Sequence, residues 1–150
     1  MFEESNHPKI SVLIPVYNVE KYVRRCLFSV LNQTMQEGVE VIIVNDCTPD
    51  HSMEEIFEAL RAYSGNERGE KMSVRVVNHD TNHGLAVVRN TAMNYATGDY
   101  VIHVDSDDWI EPDMLEKLYA CAMDTKADIV CCNISLELSL IHILRCRRRL

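Results

Sequence analysis

Short apolar runs alternate with amphipathic stretches along most of the chain. Ile10 to Ile14 is almost wholly apolar and is closed by Pro15, which predicts a buried strand. Tyr22, Val23, Cys26, Leu27, Val30 and Leu31 recur at helical spacing and predict a helix over 20–33. Residues 39–44 predict a second buried strand. Ser52-Met-Glu-Glu55 has the form of a capping box ahead of Ile56, Phe57 and Leu60, so a helix is expected to run to Ser64, followed by a polar loop at 66–71. Residues 74–77 predict a third strand, and 84–96 a helix stopped by Gly98. Residues 100–104 predict a fourth strand, Pro112 opens a helix to Thr125, and 129–134 predict a fifth strand.

Strands of four to six apolar residues separated by amphipathic helices predict an α/β fold with a mainly parallel sheet flanked by helices. The unusual polar residues fall just after strands: Pro15 to Asn18, Asn45 to Asp50, Asn78 to Asp80, and Asp105 to Asp108. In an open parallel sheet those strand ends share one edge, and ligands bind in the crevice there. The last cluster places three carboxylates within four residues. Like charges so close raise one another's pKa, and a hard divalent cation would relieve the repulsion. A solvated turn capping the next helix is the competing explanation for that cluster alone.

The chain has 150 residues, about one domain, and its 47% hydrophobic content is enough to bury a core. The net charge of -8, with no basic stripe across the body of the chain, argues against nucleic acid as a partner. Six cysteines show no CxxC pair and no zinc-like spacing with His, as expected for free thiols in a reducing compartment. Met1 to Pro8 is polar and unlike a signal peptide, and no apolar run reaches the ~18 residues of a membrane span. A cytoplasmic protein is expected, with room for peripheral membrane docking in a longer form.

Leu138 to Leu150 breaks this pattern. It resembles one reading frame of a sequencing-library transposon adapter, with Leu144 standing where that frame has a stop. It holds four of the basic residues and no acid, leaving 11 basic against 23 acidic side chains elsewhere. The expected organisation is a polar segment at 1–8, one half-domain at 9–137 and a non-native tail at 138–150, the chain being the front part of a longer protein.

No glycine-rich phosphate loop follows the first strand, which weakens dinucleotide and P-loop readings. The turns after the first two strands carry Tyr17, Asn18 and Asp46 instead. An aromatic face can stack on a base and a carboxylate can accept from its ring N–H, while a metal on Asp105 and Asp107 can neutralise a diphosphate.

On these residues the chain resembles the nucleotide-sugar-binding half of an inverting family-2 glycosyltransferase of the GT-A fold. Lys9 to Asn18 (KISVLIPVYN), Ser29 to Thr34 (SVLNQT), Glu40 to Asp50 (EVIIVNDCTPD), Asn82 to Asn90 (NHGLAVVRN), Ala96 to Tyr100 (ATGDY) and Asp105 to Asp108 (DSDD, like the family's DxD) follow in the family's order. The resemblance implies a Rossmann-like nucleotide-diphospho-sugar transferase sheet, incomplete here. It implies donor contacts from Pro15, Tyr17, Asn18, Asp46, Arg89, Asp105 and Ser106, with Asp46 on the uracil N–H of a UDP-sugar. Asp107, with Asp105, would hold Mn²⁺ or Mg²⁺. Arg89 would face the phosphates or form a structural ion pair. The implied activity is hexosyl transfer with inversion to a saccharide or lipid-linked acceptor, in cell-surface polysaccharide synthesis, with the catalytic base beyond this chain and the fragment itself inactive. The chain departs from the family at Asn45, which replaces an Asp, at Cys47, which replaces a Gly, and at Val88, which replaces an Ala. The first two bear on turn geometry and base choice. A nucleotidyltransferase and a non-catalytic nucleotide-binding module are the alternatives. His103 is expected as a satisfied sheet histidine, His83 as a loop residue, and Trp109 and Met114 as packing for the helix that follows.

Overall fold

The computed structural model describes residues 7–64 and 72–133. The expected loop at 66–71, the tail at 138–150 and Ile134 lie outside them. Four strands and four helices alternate: β1 (Ile10–Val16), α1 (Val23–Leu31), β2 (Val39–Asn45), α2 (Ser52–Ser64), β3 (Ser73–Asn78), α3 (Leu85–Tyr95), β4 (Tyr100–His103) and α4 (Met114–Thr125). The strands form one sheet in the order β3-β2-β1-β4, every pair parallel. The chain steps outward from β1 to β3, then returns to the other side of β1. That reversal puts the topological switch point between the loops after β1 and β4.

β1 is central and buried at all seven positions, as its apolar run requires. Alternate residues serve opposite faces. Ile10, Val12, Ile14 and Val16 join Val41 and Ile43 under α1, α2 and α4, through Leu27, Val30, Ile56 and Leu115. Leu13, Ile42 and Val44 meet Val88 and Ala92 of α3 on the other face. Burying each large side chain in these layers contributes roughly 1.5–3 kcal/mol.

β1 continues through Pro15, where the sequence predicts an end. Val104 donates its N–H to the Leu13 carbonyl, and the β1–β4 register stops at Leu13↔His103. Pro15 therefore turns its missing N–H to the side where β4 has ended, and no ladder bond is lost. The capping box also reads differently in the structure. Ser52 is the first residue of α2, its N–H and hydroxyl both donate to Asp50 Oδ1, and Glu55 turns outward to Arg24. Gly98 does not end α3, which stops at Tyr95 with Ala96 extended. It is required by close approach: a Cβ there would lie 2.8 Å from the Ser11 backbone nitrogen. The expected fifth strand is absent from residues 129–133. Lys126, at φ 53, ends α4, and Tyr100 Oη at the sheet edge donates to the Ala127 carbonyl. Ile129 stays 81% exposed.

Gln33, 1% exposed, explains the polar end of the first predicted helix. Its amide nitrogen donates to the Ser29 and Glu111 carbonyls, and its amide oxygen accepts the Leu115 N–H at the start of α4. Ser29 Oγ accepts the Ile110 N–H, and the Thr34 N–H reaches the Pro112 carbonyl. The stretch 29–34 thus fixes the segment that leads from the acidic turn after β4 into α4. Gln33→Leu should cost about 2 kcal/mol, because it strands the buried Leu115 N–H and takes the amide donor from the Ser29 and Glu111 carbonyls. Urea unfolding of the two proteins measures the difference.

Candidate functional site

Four loops meet at the carboxyl ends of the strands. A crevice of about 470 Å³ opens there at the switch point, lined by Pro15, Val16, Tyr17, Val19, Asp46, Asn82, Gly84, Leu85, Val88, Asp105, Ser106 and Asp107. The volume is in the range of small-molecule sites. Of the residues singled out in the sequence, Pro15, Tyr17, Asp46, Asp105, Ser106 and Asp107 are brought together on its wall. Asn18 and Arg89 are not. Asn18 sits at φ 55 and donates its N–H to Thr48 Oγ1, away from the crevice lining. Arg89 spans from α3 to Asp105 Oδ1 at 2.6 Å, so the ion-pair alternative holds in the structure.

Asp46 is 2% exposed. Its Oδ1 accepts from the His83 N–H at 2.9 Å and lies 2.8 Å from His79 Nδ1, and its Oδ2 accepts from the Gly84 N–H at 2.8 Å. Burial opposes the charge, but these three donors outweigh it and hold the carboxyl below its ordinary pKa. Two of the donors are backbone groups at the N-terminus of α3, where a negative charge is favoured.

The loop after β1 is stapled to the loop after β2. The N–H groups of Asn18, Val19 and Glu20 donate to Thr48 Oγ1, Ser52 Oγ and Asp50 Oδ2. Asp50 also accepts from the hydroxyls of Thr48 and Ser52, each at 2.6 Å. Partial burial works against its charge, yet these bonds bring its pKa down to about 2. This network sets where Tyr17, 48% exposed, stands over the crevice.

Two of the three sequence departures, Asn45 and Cys47, take definite forms in the turn after β2. Asn45 donates from its amide to Asn78 Oδ1 and accepts the Thr48 N–H, a pairing that an Asp could complete only in part. Cys47 adopts φ 55, a left-handed conformation that suits Gly.

Asp105 to Asp108 form a tight turn closed by the Asp108 N–H on the Asp105 carbonyl. The Asp108 carboxyl is raised, by burial first and then by repulsion from Asp107 and Asp105. Beneath the turn the buried Cys26 thiol donates to the Asp105 carbonyl at 3.6 Å, and burial, aided by the three carboxylates, pushes it up to about 12. Asp105 has its charge matched by Arg89, whereas Asp107 is exposed, with no hydrogen bond or ion pair among the described residues. Among those residues no three His, Cys, Asp or Glu side chains converge tightly enough to bind a metal unaided.

His103 is exposed on β4 instead of satisfied within the sheet, because α3 leaves that end of the face uncovered. His83 is a loop residue as expected, though its N–H serves Asp46. Trp109 stacks under the guanidinium of Arg25 from α1, 3.1 Å from the ring centre. Sequence reasoning missed His79, Asn82, Leu85 and Val88 as site residues. Asn82 to Val88 lie inside a quoted motif, so a signal was present. His79 had only its place after a strand.

Residues 11–138 match the profile described as Glycosyl transferase family 2. The chain belongs to that family. It is 42% identical over 131 residues to the EpsH protein of Bacillus subtilis strain 168, covering 87% of this chain and 35% of that one. It is 41% identical to the glycosyltransferase GlyA of Streptococcus pneumoniae over 83% of this chain and 16% of GlyA. The crystal structure of S. aureus TarS 1–349 in complex with UDP-GlcNAc superposes with a TM-score of 0.69 at 34% identity, over 80% of this chain and 32% of TarS. The parallel sheet and flanking helices are those of the TarS fold. The chain spans about a third or less of the length of these relatives.

Cys47→Gly should stabilise the protein by about 1 kcal/mol, by relieving a left-handed backbone at a side-chain-bearing residue; a higher midpoint in urea with an unchanged slope is the expected result. Asp50 has a folded pKa of about 2, below its ordinary value, so its stabilising effect is complete above pH ~4 and is lost as pH falls through about 2. Asp50→Asn should be less stable near neutrality and lose less between those limits, as read from unfolding curves taken stepwise from pH 5 to 2.

Proposed function

We propose that this chain forms the donor half of an inverting, hexosyl-transferring glycosyltransferase that takes a nucleotide-diphosphate sugar, a UDP-sugar by preference. The observation that carries the reading is the convergence of Tyr17, Asp46, Asp105 and Asp107, from three separate loops, on one crevice at the switch point. The likeness to TarS, solved with UDP-GlcNAc and with UDP, supports a uridine donor. The acceptor in this reading is a saccharide or a lipid-linked sugar, as for a surface polysaccharide.

In this reading Tyr17 and Pro15 flank the base. Asp46 offers the base N–H the one acceptor position left on its Oδ2. Asp105, with Oδ1 held by Arg89, keeps Oδ2 for the ribose or a metal-bound water. Ser106 closes the wall beside it. Asp107 and Asp105 would hold Mn²⁺ or Mg²⁺, since two carboxylates are a common protein share of the ligands for such a cation. Such a cation, when bound, would offset the diphosphate charge and favour its departure. Transfer by this route breaks the bond from the anomeric carbon to the diphosphate oxygen while an acceptor oxygen attacks from the opposite face. The acceptor proton goes to a base, a role given to no described side chain.

Calorimetry with UDP tests the donor and metal readings together. With Mn²⁺ or Mg²⁺ present, UDP should bind at least about tenfold more tightly than in EDTA, a difference of about 1.4 kcal/mol. Asp107→Asn should lose that difference, while Asp46→Ala should lose base selectivity with metal dependence retained. Equal affinity in metal and in EDTA would rule out the metal bridge.

A further inference from the structure

We infer that His79 is a positioning residue that sets which oxygen of Asp46 is left for the nucleotide base, and so governs base selectivity. The inference rests on the donor reading above. His79 directly follows β3, and its backbone N–H extends the β2–β3 ladder by donating to the Asn45 carbonyl at 2.9 Å. Its side chain is 11% exposed and spans between two partners. Nδ1 lies 2.8 Å from Asp46 Oδ1, and Nε2 lies 3.0 Å from Thr91 Oγ1 on α3. The His83 ring meets it edge-on, with centres 5.0 Å apart.

A carboxylate only accepts, so the Nδ1 proton is donated to Asp46. In the neutral ring Nε2 is then bare and accepts the Thr91 hydroxyl proton. Thr91, His79 and Asp46 form a directed chain from α3 to the crevice wall. Its effect on Asp46 is specific. Oδ1 has both acceptor positions filled, by His79 and by the His83 N–H, and Oδ2 has one filled, by the Gly84 N–H. One acceptor position remains, on Oδ2. A base with a ring N–H at that point is matched; a base with a bare nitrogen there meets a carboxylate lone pair. Without His79, Oδ1 regains an acceptor position and the carboxylate loses the bond that fixes its plane on that side. The discrimination should then fall even where the fold survives.

The probe pair is UDP and CDP, whose bases differ at that ring position by the presence or absence of a proton. Their affinities are measured on the full chain with Mn²⁺ throughout. The expected result for His79→Leu is a fall in the UDP to CDP preference of about tenfold, the scale of one hydrogen bond to a charged group. His79→Asn places an amide N–H where Nδ1–H stood and should restore most of the preference. Thr91→Val, nearly equal in shape, should lower it in the same direction by a smaller factor, and keeps the test available should the Leu variant fail to fold. Nitrogen NMR of the free parent should show the Nδ1–H tautomer at His79. A parent that prefers UDP, with variants that prefer it equally, overturns the positioning role, as does an Nε2–H tautomer. A parent that does not distinguish UDP from CDP overturns the donor reading itself and takes the selectivity role with it.

Discussion

The carboxylate of Asp46 joins three parts of the molecule. It stands at the end of β2, beside the loop that leaves β3, and against the first turn of α3. A charge so deeply buried costs several kcal/mol unless donors surround it, and all but one of its acceptor positions are filled from those two neighbours. That requirement fixes where α3 begins. The start of α3 in turn places Gly84, Leu85 and Val88 on the crevice wall and aims Arg89, one turn later, at Asp105 at the end of β4. The acidic turn after β4 therefore owes part of its geometry to a buried charge at the end of a different strand.

The polar residues gathered at this sheet edge divide by what their atoms already hold. Asn45, Thr48, Asp50 and Ser52 spend their hydrogen bonds on neighbouring loops and the start of α2. They are scaffolding, though in the sequence they look as functional as the rest. Tyr17 and Asp107 keep their faces open and stand on the crevice. Asp105 belongs to both groups, one oxygen tied to Arg89 and the other without a hydrogen bond among the described residues. A ligand-binding edge with loops this heavily stitched is largely preformed, which lowers the ordering cost of binding.

The two departures from the family pattern at the end of β2 have unlike consequences. Asn45 is compensated, since its amide gains Asn78 as a partner across the β2–β3 ladder. Cys47 is not, since its backbone keeps the left-handed conformation at a residue that carries a side chain. The turn geometry is retained, at a cost in backbone strain on the exposed side of the loop.

Much of the fold was legible in the chain. Apolar runs of strand length between helical periodicities determine the alternating order, and parallel strands without tight turns leave polar loops on one edge. Tyr17, Asp46 and Asp105 to Asp107 could be picked as candidate site residues because they follow apolar strand-length runs, and Pro15 because it was read as closing the first of them. Periodicity could not say that β1 runs on past Pro15, that Gly98 is present for close contact with β1, or that 129–133 carries no strand. Each of those depends on what lies alongside, and neighbours in space are not written in local spacing. The same holds for Arg89 and His79. Their residue types allowed several roles, and only the packing of α3 against the sheet brought one to Asp105 and the other to Asp46. Sequence alone determines which groups can donate, accept or carry charge; the tertiary structure decides which of them are already spent on one another and which remain for a ligand, because hydrogen bonds and ion pairs act over a few ångströms between residues far apart in the chain.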